Sequence, residues 1–173
     1  NNSGGGVMIE GSELRVSCGT VKGNGVYGIR VGKNASLNLS PERYFDAGKV
    51  DLSNNPVSVS ASEARWFYLT NGGNNFSPSA GGMAFRGQMK RPCRELTIPA
   101  IGNKWKSASG LASPQKGKDY SLGFPLSLQF PFKCYKPIII QDLKPAEFAG
   151  CPGGGDNGNG KIPVAAFSPL VFC

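Results

Sequence analysis

Residues 121–134 read SLGFPLSLQFPFKC. Leu122, Phe124, Leu126, Leu128, Phe130, Phe132 and Cys134 are apolar, with Gly123, Pro125, Ser127, Gln129, Pro131 and Lys133 between them. Alternation of period two places the apolar set on one face of a pleated strand and cannot build a helical stripe. The two prolines exclude a helix interior for a second reason: each lacks an N–H and clashes with the preceding turn. Pro125 and Pro131 also share a parity, so both missing donors fall on the same edge. The stretch therefore predicts an edge strand, or two collinear strands bent at a proline.

The same pattern recurs in shorter pieces. ELRVSC places Leu14, Val16 and Cys18 on one face, PVSVSA alternates Val57 and Val59 with serines, and RWFYLT is β-prone through its aromatic residues. VYGIRV, MAFRGQM, RELTIPAI, KPIIIQDL and the C-terminal KIPVAAFSPLVFC read as further strands. Between them lie loop-like segments such as TNGGNNFSPSAGG and GNKWKSASGLASPQKGKDY. Only SPERYFDAG and SEARW offer a helical turn, and no fixed-period repeat stands out.

Short strands at close spacing without a long helix predict an all-β fold. The expectation is an antiparallel β-sandwich, Greek-key with Ig-like topology or jelly-roll, with disulfide-stapled loops. The 173 residues suit one domain over 1–173, or a fragment of a longer chain ending on a cysteine. Twenty-five glycines and thirteen prolines fit many turns, while 39% hydrophobic residues suffice for a packed core.

The chain has no histidine, which removes the usual general base, metal ligand and pH switch. A Ser-His-Asp or Cys-His site cannot be assembled, and the nearby carboxylate pairs lie in no context that suggests a glycosidase. We therefore expect no enzyme activity, no cofactor and no metal. Asp156 in GGGDNGNG stands among glycines where a calcium loop needs side-chain oxygens. The five cysteines show no C-x-x-C spacing, so they predict disulfides and a secreted or cell-surface location in place of zinc. The expected pairing is Cys134–Cys151 and Cys18–Cys93, leaving Cys173 as a free thiol.

A formal net charge of +8 favours acidic partners without choosing among them. Eight cationic side chains stand between residues 86 and 118 against one carboxylate, Glu95. Within this run Lys104, Trp105 and Lys106, with Arg91 and Arg94, predict a loop in which an indole face is flanked by ammonium groups. The alternative is an indole folded onto the core under a solvated basic surface. In Trp66-Phe67-Tyr68 the outer two rings share a strand face, one side facing the core and the other open to a ligand.

These residues predict a recognition domain that holds a host glycan or acidic glycoprotein through end loops. Fimbrial or pilus-tip adhesin domains are one class of this size, cysteine use and strand content. The competing expectations are a capsid-like or nucleic-acid-binding β domain and a disulfide-braced inhibitor or effector presenting KRPCREL. Further domains of a longer chain are also possible partners. No apolar run approaches the ~18 residues of a membrane-spanning helix.

Overall fold

A computed structural model describes residues 2–41, 48–90, 94–105, 113–125, 136–148 and 150–151. It contains twelve strands: β1 (Val7–Ile9), β2 (Glu13–Arg15), β3 (Ser17–Thr20), β4 (Tyr27–Val31), β5 (Ser36–Asn38), β6 (Gly48–Asp51), β7 (Val57–Ala64), β8 (Trp66–Tyr68), β9 (Met83–Met89), β10 (Leu96–Pro99), β11 (Tyr120–Gly123) and β12 (Ile138–Gln141). No helix occurs among the described residues, and SEARW, a predicted helical turn, instead carries the chain from β7 into β8.

Every strand pairing among the described residues is parallel. This overturns the expected antiparallel sandwich with Greek-key, Ig-like or jelly-roll topology. The first wall is a five-stranded sheet in the order β1-β4-β7-β9-β11, so each strand lies beside its counterpart one coil later. The second wall is β2-β5-β8 followed by β10-β12. Its two parts join where the Asn71 N–H donates to the Ile101 carbonyl at 2.5 Å. The third wall is β3-β6, prolonged by single bridges from Asp51 to Asn75 and from Asn75 to Lys104. The chain thus winds as a β-solenoid, each coil using its walls in turn and stacking in parallel on the coil before it.

The corners explain why the chain winds and does not fold back. Cys18, Asn34, Lys49, Asn54, Glu63 and Asn71 all have φ between 51° and 61°. A single left-handed residue redirects a strand without reversing it, and Asn is among the residues that adopt this conformation most readily. The corners stack: Cys18 lies beside Lys49, between the register pairs Ser17–Gly48 and Gly19–Val50. Glu63 sits where the β7–β9 register slips between Ser62 and Ala64, a bulge that turns the strand toward β8.

The apolar alternation supplies the interior. Ile29, Val59, Phe85 and Tyr120 are in register on the first wall, and all four are buried. Leu37 and Phe67 face them from the second wall, as do Ile98 and Ile140. From the decisive stretch, Leu122 and Phe124 are buried, and β11 is the outermost strand of its sheet among the described residues; it ends at Gly123, before the first proline. The rest of that stretch, residues 126–134, lies outside the described residues, as does the C-terminal strand expected over 161–173.

A strap runs back along the coils. Beyond β12 the Ala146 N–H donates to Asn103 O at 3.0 Å, and Glu147 pairs with Lys104 at 2.6 Å, both one coil below. The strap then reaches the first coil, where Cys151 is disulfide-bonded to Cys18 across a sequence separation of 133, with Cα atoms 5.3 Å apart. This bond replaces the expected Cys134–Cys151 and Cys18–Cys93 pairs. Proximity in sequence favoured Cys134 as the partner of Cys151, whereas the strap returns Cys151 to the first coil, where Cys18 lies. Cys93, Cys134 and Cys173 lie outside the described residues.

Closing so long a loop restricts the unfolded chain strongly, by about 5 kcal/mol in the entropy model. Cys18→Ser should therefore lower unfolding free energy in urea by several kcal/mol. A loss below about 1 kcal/mol would show that the clasp does not hold the coils.

Candidate functional site

The basic loop does not form the expected binding site. Trp105 is 4% exposed and stands in register with Leu52 and Phe76 on the third wall, since Leu52 N–H bonds to Asn75 O and Phe76 N–H to Lys104 O. Its ring centroid lies 5.0 Å from that of Phe76 and 6.1 Å from that of Phe85. Its indole N–H donates to Asp142 Oδ2 at 2.8 Å. Trp105 is therefore a core residue and not a ligand platform. The outward neighbour Lys104 is neutralised by Glu147. Arg94 is exposed just before β10, and Arg91 and Lys106 lie outside the described residues.

Asp142 belongs to a polar column that runs inside the solenoid. Asn74, Asn103 and Asp142 are all fully buried. Asn74 Oδ1 accepts the Val50 N–H at 3.1 Å, and its amide donates to Leu39 O at 3.0 Å. Asn103 Oδ1 accepts from both the backbone and the side chain of Asn74, at 3.0 and 2.8 Å. The Asn103 amide donates to Leu69 O and Ala100 O, each at 2.7 Å. Gly72 makes room for the column: a Cβ there would lie 2.2 Å from Leu39 O and 2.1 Å from Asn74 Nδ2. At the far end Asp142 only accepts. Its Oδ1 takes the Gly102 and Lys144 N–H groups, and its Oδ2 takes the Asn103 N–H and the Trp105 indole. A carboxylate suits this position because four donors converge on it.

Asn55 repeats the device at another corner, donating to Val21 O and Leu52 O while its Oδ1 accepts from Asn24. These groups are saturated and closed to solvent, so they hold structure and offer a ligand nothing. The sequence did carry a signal for them: Gly-Asn-x-aromatic occurs at Gly73–Phe76 and again at Gly102–Trp105.

The other expected aromatic residues fare differently. In β8 the alternation places Phe67 in the core while Tyr68 is 41% exposed and Trp66 is half-buried. The two outward rings meet edge to face, with centroids 6.4 Å apart and planes at 72°. Register places Glu13, Ser36 and Trp66 side by side across the second wall, and Arg15, Asn38 and Tyr68 beside them. Arg15 Nε pairs with Glu13 at 2.5 Å. On the same wall Thr97, Pro99 and Gln141 are exposed.

Ser36 and Asn38 are themselves buried, so what this part of the wall presents to solvent is the Tyr68 ring, part of the Trp66 ring and the Glu13–Arg15 pair. Such a surface stacks against the apolar face of a sugar ring and hydrogen-bonds its hydroxyls. Among the described residues no group of three or more Cys, Asp and Glu is placed to hold a metal ion. No known protein family, curated protein or solved structure matches the chain.

Trp105→Ala should cost about 3–5 kcal/mol, the usual penalty for emptying a large aromatic core site. Asp142→Asn should cost about 1–3 kcal/mol, because an amide NH₂ would then face N–H donors. Urea denaturation reads both. Wild-type stability in Trp105→Ala would place the indole on the surface.

Proposed function

We propose that the chain is a secreted or surface-displayed recognition module that binds a host glycan or glycoprotein. The observation that carries this reading is the edge-to-face Trp66–Tyr68 pair on the outer side of β8, with Tyr68 exposed and Trp66 half-buried. Tyr68 is one of few large apolar side chains left in solvent among the described residues. An exposed aromatic ring on a rigid strand loses little entropy on binding, which makes it an efficient contact.

The Cys18–Cys151 bond supports an oxidising, extracytoplasmic setting, where such bridges form and persist. The lack of histidine and the saturation of the buried carboxylate Asp142 support binding without catalysis. The binding surface in this reading is a solenoid wall, since the loop residue Trp105 is packed in the core. Adhesion is the biological role that fits such a module.

A panel of neutral and acidic glycans, with duplex DNA included, tests the proposal directly. Tyr68→Ala should weaken glycan binding about tenfold, the equivalent of one aromatic stacking contact. Its unfolding free energy should stay within about 0.5 kcal/mol of wild type, as for an ordinary surface substitution. Unchanged glycan affinity in Tyr68→Ala, or binding to DNA alone, would overturn the proposal.

A further inference from the structure

The first wall has its own outward face, distinct from the Trp66–Tyr68 pair. Register aligns Met8, Arg30, Ser60, Arg86 and Ser121 in one row across its five strands. Arg86 and Ser121 are exposed, and Arg30 and Ser60 are half-buried. Arg30 Nε is buried yet makes no hydrogen bond, a costly condition for a charged donor group. The row contains no carboxylate. In the neighbouring outward row Glu10 precedes Gly32, Ser62, Gln88 and Gly123, and Glu10 lies over Gly32 without an ion pair to Arg30.

We infer that this face binds a linear acidic polysaccharide, with Arg30 and Arg86 each taking one sulfate or carboxylate. Arg30 and Arg86 are separated by the single strand β7, which sets their backbones ~9.6 Å apart along the solenoid axis. That interval is close to one disaccharide repeat of an extended polysaccharide, so a chain lying along the axis presents successive anions to successive arginines. Arginine suits the role because its fork of N–H donors matches a sulfate or carboxylate edge. Ser60 stands between the two cations and Ser121 beyond Arg86, where hydroxyls can exchange hydrogen bonds with sugar hydroxyls. Duplex DNA fits less well: it carries a phosphate every ~3.4 Å along each strand, denser than two arginines match, and this row has no aromatic ring for a base.

The inference deepens the recognition reading by naming an acidic ligand class and rests on it for the class of partner. It uses different residues, so the two can fail separately. The test is binding of the intact protein to a sulfated glycosaminoglycan, its desulfated counterpart and duplex DNA of equal total charge. The double variant Arg30→Gln/Arg86→Gln should lose at least tenfold affinity for the sulfated chain with a melting temperature no lower than that of wild type. The charge-matched control Lys136→Gln/Lys144→Gln, at exposed sites flanking β12, should change it less than twofold.

Wild type should bind the desulfated chain more weakly than the sulfated one. Equal loss in both double variants would reduce the effect to net charge and overturn the inference. So would full affinity in the arginine variant, or displacement of the sulfated chain by DNA. Loss of neutral-glycan binding in Tyr68→Ala reports on the other wall alone.

Discussion

The buried Asn74–Asn103–Asp142 column is the constraint on which the rest of the structure depends. A parallel coil must turn a corner on every level, and each corner leaves backbone groups that no sheet ladder pairs. Burying such a group without a partner costs several kcal/mol at most and about 1–3 kcal/mol in typical protein cases. The column answers this locally: each amide bonds carbonyls at the corner and a donor from the adjacent coil. Because one amide accepts from the next, the bonds polarise one another and fix the coils in register. The register then decides which residues become neighbours on the walls, including both surfaces assigned to ligands.

Two further features follow from that stacking. The aromatic residues of the third wall pile up inside, with Phe76 between Trp105 and Phe85. They fill a channel that three walls enclose and tie the third wall to the first. The strap closes the assembly from outside, held by Lys104–Glu147 on one coil and by the disulfide on the first. A glycine-rich stretch after Cys151 thus follows a covalent anchor to the opposite end of the solenoid.

Much of this was legible in the residues, and the failures have a common cause. The alternation in β8 and β11 correctly separated Phe67 and Leu122 from their outward neighbours, whereas in β7 Ser58 is fully buried beside Val59, its hydroxyl bonded to Leu52 O and Phe76 O. Alternation records which face is buried but not the direction of the adjacent strand, so the parallel winding was invisible to it. A repeat would have revealed the winding, but coil lengths vary: Ile29 pairs with Val59, whereas Leu96 pairs with Ile138 much farther along. The repeated Gly-Asn-x-aromatic motif survives this variation. Its asparagines resemble ordinary turn residues, since Asn serves both roles. Lys-Trp-Lys at 104–106 misled because its charges suggested a loop, while its own alternation placed Lys104 outside and Trp105 inside.

The proposed function rests on walls because, among the described residues, the interior polar groups already bond one another. Interstrand nuclear Overhauser contacts test the winding most directly. The account predicts amide contacts that link Ile29 to Val59, Val59 to Phe85 and Phe85 to Tyr120 in parallel register, without close Hα–Hα pairs. Strong Hα–Hα contacts between any of these strands would signal antiparallel pairing and contradict it.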